Sequence, residues 1–308
     1  MVRLSFRNIS KSYSRGRKAL NRVSFSYDGN GIVALIGRNG AGKTTLIRIL
    51  ATELAPDSGT AELDGLELIK HPEAVRGLMS IVPQEARVVQ WLTPMQSITT
   101  YLMYHGVTYG EAKKGAERAM KEVGITEYKD MLSRKLSGGT KRKVFVAMVL
   151  ASGSRLIFLD EPTTGLDPLS REELWNVLVR LKKDHLIFLT THYLEEAERL
   201  ADRICLMENG KLLASGTMDS LRRKIRYQHS IRLPAGSTLP KGTKGRIVHG
   251  ADGSTQILTS EKDALSISKT LVRRGTRFFS NPVSLEDIFY SIVKKPIGED
   301  EGGDEDEW

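Results

Sequence analysis

A glycine-rich loop between an apolar run and a helical pattern constrains this chain more than any other feature. Residues 37–44 read Gly-Arg-Asn-Gly-Ala-Gly-Lys-Thr and follow the apolar residues 32–36. The spacing fits G-x-x-x-x-G-K-[ST], the phosphate-binding loop, when a strand precedes it and a helix follows. Residues 32–36 predict a buried strand, and residues 45–50 predict a helix that ends near Pro56 and Gly59. We therefore expect an α/β nucleotide-binding core.

This loop supplies the predicted ligands for the phosphates of a nucleotide. Glycines lack a Cβ, so backbone N–H groups can close around an anion at the positive end of a helix. Lys43 is expected to reach the β- and γ-phosphates, and the Thr44 hydroxyl is expected to bind Mg²⁺. The predicted nucleotide-binding residues here are Gly37, Arg38, Asn39, Gly40, Ala41, Gly42, Lys43, Thr44 and Thr45. A glycine-rich turn with a chance Lys-Thr pair is the alternative.

A second apolar run ends in two acids. Residues 155–159 read Arg-Leu-Ile-Phe-Leu, and Asp160 and Glu161 follow them. Ligands of open α/β sheets bind at the C-terminal ends of strands, where adjacent side chains point in different directions. Asp160 is predicted to bind Mg²⁺, directly or through a water, and Glu161 to be the base that polarises the attacking water. A pair of solvated strand-end acids is the alternative.

Three shorter motifs complete an ordered set. They are Gln84 in Ile81-Val82-Pro83-Gln84, the loop Leu136-Ser137-Gly138-Gly139-Thr140, and His192 after Thr190-Thr191. Ser137 can cap the helix that follows it, and the two glycines let a phosphate approach the N-terminus of that helix. With these residues in this order, the chain resembles the nucleotide-binding subunit of an ATP-binding-cassette (ABC) transporter.

The resemblance implies two composite sites in a head-to-tail dimer. The signature loop, represented by Ser137, Gly138 and Gly139, would contact the ATP held by a second ATPase subunit. Thr140 replaces the usual Gln at a position that varies in the family. Asp167 matches the aspartate that passes between the subunits.

The resemblance also implies roles for three separate side chains. Gln84 would touch Mg²⁺ and connect to the membrane subunit, and His192 would sense the γ-phosphate. Tyr13 lies where the family places an aromatic ring that stacks on adenine. A lone Tyr, a lone His or a Pro-Gln pair can also be an ordinary structural residue, which is the alternative for each.

The resemblance further sets the expected fold and its parts. Residues 1–216 are predicted to form a P-loop NTPase core with an ABC-type antiparallel β subdomain and a helical lobe at about 85–150. Residues 217–296 are predicted to form a small C-terminal α+β module. Residues 297–308 are predicted to be an acidic, disordered tail. Within the cassette, the Ser-Arg-Glu-Glu sequence at 170–173 predicts a capping box.

The C-terminal part has weaker signals. Residues 217–228 predict a helical connector, and residues 231–233, 246–249 and 255–258 predict strands. The spacing of Ala264, Ile267, Leu271 and Val272 predicts an amphipathic helix. A Ser-Leu-Glu-Asp-Ile-Phe sequence at 284–289 starts another helix and resembles the end of daunorubicin-resistance-type export ATPases, as does the segment 163–203. A dimer-stabilising appendage without chemistry is the favoured interpretation of this module.

Charge and hydropathy limit the kinds of partner that this chain can have. The net charge is +9, and seven acids lie within residues 299–308, so residues 1–298 carry 46 basic against 30 acidic residues. A basic body suits ATP and anionic lipid headgroups, and would also suit nucleic acid. No apolar run approaches the roughly 18 residues that span a bilayer. The one cysteine, Cys205, allows no internal disulfide, suits a reducing cytosol and is expected to be a buried apolar residue.

These features predict an ATP-hydrolysing subunit that drives a separate membrane permease, in the direction of export by subfamily resemblance. The expected cofactors are ATP and Mg²⁺, and the expected location is peripheral, on the cytoplasmic face of the cell membrane. The expected partners are a permease and a second ATPase subunit, with no nucleic acid. An importer subunit, a regulatory domain without turnover, and a soluble cassette ATPase acting on the ribosome or DNA are the alternatives. The single phosphate loop and the lack of sustained heptads argue against the last.

One segment is a candidate docking site for the permease. The segment from Glu85 to Met95 is apolar enough to receive a short helix, and exposed apolar patches mark interaction sites. Its apolar members are Val88, Val89, Trp91, Leu92 and Met95. The alternative is that they pack inside the helical lobe.

Overall fold

A computed structural model describes residues 1–13, 16, 18–240, 242–250 and 252–293. The fold divides into a first unit, Met1–Leu213, and a second unit that begins at Ala214. The predicted boundary at residue 216 coincides with the end of strand β10 (Lys211–Gly216). The predicted acidic tail, residues 297–308, lies outside the described residues.

The first unit contains strands, helices and short 3-10 turns. Its strands before β10 are β1 (Arg3–Ser12), β2 (Lys18–Asp28), β3 (Gly31–Ile36), β4 (Ser58–Leu63), β5 (Leu66–Glu67), β6 (Met79–Val82), β7 (Leu156–Asp160), β8 (Leu186–Thr191) and β9 (Arg203–Glu208). Its helices are α1 (Lys43–Leu50), α2 (Pro72–Arg76), α3 (Pro94–Tyr104), α4 (Tyr109–Val123), α5 (Gly138–Ala151), α6 (Pro168–Leu181) and α7 (Leu194–Leu200). Short 3-10 turns lie at Thr126–Tyr128 and Ser133–Lys135.

The main sheet has the strand order β10-β9-β3-β8-β7-β6. Pairing is parallel from β9 through β3, β8 and β7 to β6. All residues of β3, β7 and β8 are buried, as expected for strands covered on both faces. Because the C-terminal ends of parallel strands meet at one edge, β6, β7, β8 and β3 deliver the predicted site segments to the same edge of the sheet.

A second sheet in this unit is antiparallel, with the order β2-β1-β4-β5. It packs on the main sheet through aromatic side chains. The ring of Phe25 lies 5.7 Å from that of Phe6 in its own sheet and 6.4 Å from that of Phe188 in β8. The predicted antiparallel β subdomain is thus present.

The helical lobe consists of α3, α4 and α5, which pack on one another. Thr93 caps α3 in a reciprocal box, since its Oγ1 accepts from the Gln96 N–H at 3.2 Å and Gln96 Oε1 accepts from the Thr93 N–H at 2.9 Å. Residues 85–93, at the start of the predicted lobe, form no helix. The lobe is therefore helical from residue 94 onward, with connecting loops.

The second unit is a small α+β module with its own core. It contains α8 (Met218–Lys224), β11 (His229–Leu233), β12 (Arg246–His249), β13 (Thr255–Thr259), α9 (Glu261–Arg273), β14 (Phe279–Pro282) and α10 (Leu285–Val293). The sheet is antiparallel in the order β12-β13-β11-β14. Ile231 and Ile257 of the sheet pack on Ala264, Ile267 and Leu271 of α9.

The structure corrects one prediction about this module and adds an unpredicted strand. The spacing places Val272 on the apolar face of α9, but its side chain is 66% exposed, because it lies one position beyond Leu271 and so points away from the sheet. The sequence pattern does not predict strand β14. Its four residues are all exposed and pair only with β11 on one side, so they lack the apolar alternation that marks a strand.

The capping box predicted at Ser170 is also wrong. The cap is Asp167, three residues before Ser170, and helix α6 begins at Pro168, because proline is favoured in the first helical turn. The Asp167 carboxylate accepts from the Ser170 N–H at 3.0 Å. Ser170 therefore lies inside the first turn.

A capping box occurs instead at the start of α10. Ser284 Oγ accepts from the Asp287 N–H at 3.2 Å, and Asp287 Oδ2 accepts from the Ser284 N–H at 2.8 Å. Asp287 Oδ1 also accepts from Gln256 Nε2 at 2.7 Å. The Ser-Leu-Glu-Asp pattern of this segment thus fastens α10 to its own sheet.

Within the residues that the structure describes, none of the helices combines the length and hydrophobicity that crossing a bilayer requires.

Candidate active site

The phosphate loop follows β3 and can be formed only with glycines at its two packed positions. A Cβ on Gly37 would lie 2.3 Å from the Met207 carbonyl oxygen at the end of β9. Gly42 has φ 104°, in the left-handed region, and a Cβ there would lie 2.4 Å from the Ala19 carbonyl oxygen. The loop is therefore pressed between β9 and β2, which fixes its backbone ahead of α1.

Lys43 is buried beneath this loop. Its Nζ donates to the carbonyl oxygens of Gly37 at 2.9 Å and Arg38 at 3.2 Å, and lies 3.7 Å from Glu161 Oε1. Burial lowers the pKa of Lys43, while the carboxylates of Glu161 and Asp160 oppose that shift. The loop thus holds a cation beside its own backbone N–H groups, which suits a polyphosphate.

Glu161 follows β7 in a strained conformation. Its φ is 45°, in the left-handed region that residues other than glycine rarely adopt, at a cost of about 1–3 kcal/mol. The conformation is held by β8, since the Glu161 N–H donates to Thr190 Oγ1 at 3.0 Å and Thr190 O at 3.2 Å. The sharp turn separates its side chain from that of Asp160, the last residue of β7.

Four side chains converge on the Glu161 carboxylate. Gln84 Nε2 donates to Oε2 at 3.2 Å and Thr164 Oγ1 donates to the same oxygen at 3.1 Å. His192 Nδ1 lies 3.2 Å from Oε2 as a close polar contact, without the alignment of a hydrogen bond. Lys43 faces the other oxygen. The structure therefore brings all four predicted catalytic residues, Lys43, Gln84, Glu161 and His192, into one cluster.

The predicted Mg²⁺ ligands have suitable donor chemistry. Asp160 is buried, and its Oδ1 accepts a hydrogen bond from the Thr190 hydroxyl. Thr44 lies in the first turn of α1, and Gln84 uses its amide nitrogen toward Glu161, which leaves its amide oxygen for a cation. Mg²⁺ prefers oxygen ligands from one or two carboxylates together with substrate phosphates. These three residues fit such an ion.

The signature loop makes local contacts that explain its composition. Ser137 caps α5 as predicted, its Oγ accepting from the Thr140 N–H at 3.1 Å. Ser137 and Gly138 are exposed, whereas Gly139 is buried, and a Cβ on it would lie 2.6 Å from Ser170 Cβ in α6. The Ser137 contact is with α5, and the Gly139 contact is with α6.

Other predicted nucleotide-binding residues lie around the phosphate loop. Tyr13 is 45% exposed, and its hydroxyl is 3.3 Å from Thr45 Oγ1 in α1. Asn39 and Gly40 are exposed in the loop itself. Ala41 fastens the loop to the β9–β10 turn, because its carbonyl oxygen accepts from the Gly210 N–H at 3.0 Å.

Sequence reasoning missed Thr164 and Thr190. Both hydroxyls bind the two acids at the end of β7, Thr164 at Glu161 and Thr190 at Asp160. The only signal for them is their place in the motif segments, Thr164 just after the acids and Thr190 just before Thr191 and His192. Threonines are common in strands and turns, so the positions alone do not indicate these contacts.

Comparisons with known proteins agree with this geometry. The family model described as ABC transporter matches residues 20–164. The daunorubicin/doxorubicin resistance ATP-binding protein DrrA of Streptomyces peucetius is 31% identical over 296 residues, covering 91% of this chain and 89% of that protein. ATP-binding cassette sub-family A member 7 of Mus musculus is 33% identical over 283 residues. That match covers 90% of this chain, but only 13% of the length of the mouse protein.

A solved structure shows the same fold. CbiO1 from Clostridium perfringens, described as part of the ABC transporter complex cbiONQ, superposes with a TM-score of 0.65 at 27% identity. The match covers 72% of this chain and 93% of that one.

Proposed function

This chain belongs to the ABC transporter family and is an ATPase of the DrrA type, and from that premise we propose that it drives a separate membrane permease in the direction of export. The observation that supports ATP hydrolysis best is the cluster around Glu161. A carboxylate beside a buried lysine, at the end of a strand next to a phosphate loop, is placed to receive a proton from water.

The proposed reaction is in-line attack of water on the γ-phosphorus of ATP. The bond from the water oxygen to the γ-phosphorus forms on one side, and the bond from the γ-phosphorus to the β-phosphate oxygen breaks on the other. Glu161 accepts the proton that water releases, and the charge of Lys43 balances the phosphate oxygens. Gln84 and Thr164 hold the carboxylate of Glu161 by hydrogen bonds, and His192 lies in polar contact with it.

Thr44, Gln84 and Asp160 would hold Mg²⁺. When bound, the ion would supply positive charge that stabilises the leaving group. The Thr190 hydroxyl keeps the Asp160 carboxylate oriented at the end of β7. Tyr13 would stack on the adenine, and Ser137, Gly138 and Asp167 would act across a dimer interface on the second nucleotide.

The proposed partners are a second ATPase subunit and a permease, with the chain at the cytoplasmic face of the membrane. The resistance that gives the Streptomyces relative its name is explained most simply by drug export, which supports that direction here. The match with a structure described as part of a transporter complex supports a separate permease. Co-purification of a membrane polypeptide with the full chain would test this partnership.

Glu161→Gln tests the proposed chemistry. The amide cannot take a proton from water, so turnover should fall roughly 10²–10⁴-fold while ATP binding persists. Steady-state hydrolysis and equilibrium binding of ATP with Mg²⁺ measure the two effects separately. Lys43→Ala should instead lose ATP binding, because the phosphates lose their buried cation.

Glu172→Gln is the matched control. This exposed glutamate on α6 pairs with Arg199 at 2.8 Å and should not affect turnover. Wild-type hydrolysis by Glu161→Gln would exclude Glu161 as the base.

A further inference from the structure

Arg142 joins the helix of the signature loop to both loops that carry the reacting groups. It lies on α5, five residues after Ser137, and is 9% exposed. Its Nη1 donates to the Pro83 carbonyl oxygen at 3.4 Å, and its Nη2 donates to the carbonyl oxygens of Gln84 at 3.3 Å and Glu161 at 3.4 Å. One buried side chain therefore contacts the segments after β6 and β7 together.

Arginine suits this position for a physical reason. A buried cation is unfavourable unless its protons are hydrogen-bonded, and here the acceptors are backbone carbonyls. The planar guanidinium can donate in several directions at once, whereas lysine has a single nitrogen. Burial lowers the pKa of Arg142, and the Asp160 carboxylate opposes that shift. Arginine side chains nevertheless stay protonated in proteins.

Two of the contacted carbonyls belong to residues whose side chains are hydrogen-bonded to each other. The Gln84 carbonyl belongs to the residue whose amide holds the Glu161 carboxylate, and the Glu161 carbonyl belongs to the strained residue itself. A displacement of α5 would therefore be transmitted to both residues through one guanidinium.

We propose that Arg142 is a positioning residue that couples the signature loop to Gln84 and Glu161 of the same chain. The inference rests on the proposed function, in which Ser137 and Gly138 contact the ATP of the second subunit. ATP at one composite site then influences the base of the other site through α5. Arg142 does this through its partners, without touching substrate.

The expected signature is a split between turnover and binding. Arg142→Gln removes the charge and most of the donors, so kcat for ATP should fall, by up to about a hundredfold if the base is misplaced by an ångström. KM for ATP and equilibrium ATP affinity should stay at the wild-type values, because the three hydrogen bonds lie outside the phosphate loop. The Hill coefficient for ATP should fall toward one. Arg142→Lys should restore part of kcat.

Lys143→Gln is the matched control, since Lys143 is the next residue of α5 and pairs with Glu173 at 2.8 Å. Its kcat and Hill coefficient should equal those of the wild type. The variants are compared as full chains, with thermal unfolding measured alongside. If Arg142→Gln does not fold, Arg142→Lys is judged by the same criteria.

A double-mutant cycle separates positioning from a general defect. If Arg142 acts through Glu161, Arg142→Gln lowers single-turnover hydrolysis in the wild-type background and has little further effect beside Glu161→Gln. Equal losses in both backgrounds, or an unchanged kcat in the folded Arg142 variants, would overturn the proposal. Failure of the wild-type chain to hydrolyse ATP would instead refute the proposed function, so the two failures are distinguishable.

Discussion

At the scale of single residues, backbone strain occurs at one position where chemistry is proposed and at five others among the described residues. The described residues other than glycine with positive φ are Asn8, Arg22, Thr52, Asp64, Glu161 and Asn209. Asn209 belongs to an Asn-Gly hairpin turn, where positive φ is expected. Glu161 differs, since it is a buried glutamate whose backbone and carboxylate are both fixed by several partners.

A second buried glutamate lies behind the His192 loop. Glu196 on α7 is fully buried, and its Oε1 accepts from Trp175 Nε1 of α6 at 3.0 Å. Burial raises the pKa of Glu196, and the nearby Thr191 hydroxyl and Trp175 indole oppose only part of that shift. The folded protein therefore retains the proton on this carboxyl to a higher pH than the unfolded chain does.

We expect Glu196→Gln to weaken the pH dependence of stability. In the unfolded chain this carboxyl titrates near its ordinary value of 4.5. Above that pH the folded state retains the proton better than the unfolded state, so stability falls as pH rises toward the raised folded pKa. Glutamine does not titrate and still accepts from Trp175. The variant should therefore gain stability relative to the wild type as pH rises from 4 to 8. The gain is about 1.4 kcal/mol for each pH unit over which only the unfolded chain is ionised at this position.

Urea denaturation followed by tryptophan fluorescence across this pH range would measure the difference. Glu195→Gln, an exposed neighbour on α7, controls for the loss of a surface charge. A Glu196→Gln difference that is the same at all pH values would contradict a raised pKa in the folded state.

At the scale of elements, the signature loop shows that its glycines have different roles. Gly139 is needed for the contact of α5 with α6, because any side chain would meet Ser170. Gly138 is exposed, and a Cβ there would lie 3.6 Å from Leu166 Cδ2, an ordinary van der Waals contact. Gly138 is therefore the position at which interface function can be changed without disturbing the fold.

We expect Gly138→Asp and Lys43→Ala chains to complement each other. An aspartate in the first turn of α5 suits the helix dipole but repels a phosphate across the interface. Each variant alone should be inactive, whereas a mixed dimer keeps one composite site with two intact halves. ATPase assays on mixtures of differently tagged chains would measure this.

Complementation is interpreted only where pull-down proves that mixed dimers form. Gly65→Asp, in the exposed turn between β4 and β5, is the control and should keep full activity alone, because this turn is remote from α5. The φ of Gly65 is 84°, so the substitution introduces some backbone strain there. Proven mixed dimers without activity would contradict the head-to-tail arrangement.

The segment before α3 bears on permease docking. Val88 is buried, Leu92 and Met95 are half-buried, and Trp91 is 75% exposed. The two interpretations of this segment therefore apply to different residues: Val88 packs inside the lobe, whereas the Trp91 ring is available to a partner. Exposed tryptophans of this kind are characteristic of interface anchors.

We expect Trp91→Glu to release the chain from membranes that contain the permease. The substituted side chain is already in solvent, so ATP binding by the isolated chain should be unchanged. Membrane fractionation paired with an ATP-binding assay measures both effects. Tyr104→Glu, at an exposed tyrosine of the same lobe, is the control and should stay bound. Retention of Trp91→Glu on membranes would remove Trp91 from the docking surface.

Strands with a continuous apolar sequence are predictable from the sequence. The strands β3, β7 and β8 are continuous apolar runs bounded by motif residues, so their position and burial follow directly. Gln84, Glu161 and His192 follow β6, β7 and β8, and Lys43 lies at the phosphate loop that follows β3. Their convergence can be anticipated from the rule that ligands bind at the C-terminal ends of strands.

Features set by tertiary contacts are not predictable in this way. The start of α6 depends on whether Asp167 or Ser170 supplies the cap, and both carry suitable side chains. Strand β14 is defined by pairing with β11, not by its own pattern. Arg142 lies in a run of three basic residues that is typical of a solvated surface, and only the fold shows that its guanidinium is buried.

At the scale of the whole molecule, the described residues include a hydrophobic cluster within each unit. The larger includes the fully buried Ile47 of α1 and Phe188 of β8, and the smaller includes Ile231 and Ile257. The residues of each cluster belong to a single unit. We therefore expect the two units to unfold in separate transitions, in which case a single unfolding free energy would not describe the protein.

We expect Ile257→Ala to destabilise the second unit by about 2–5 kcal/mol, the usual cost of a cavity left by a fully buried isoleucine. Hydrogen exchange should accelerate in β11, β13 and α9 and stay unchanged in β3 and β8. Ile47→Ala should give the reverse pattern. Equal acceleration in both units by either variant would show that the two cores unfold together.

The order of strands in the main sheet also has a consequence for synthesis on the ribosome. Residue 31 of β3 pairs with residue 186, and residue 33 with residue 203. At about 5–20 residues per second, β3 waits roughly 10–30 s between its translation and that of its neighbours. During this time its uncharged sequence, Gly-Ile-Val-Ala-Leu-Ile, has no partner strand and is prone to aggregate. We therefore expect the strand that carries the phosphate loop to need protection in the nascent chain, and slower translation of residues 37–186 to prolong that need.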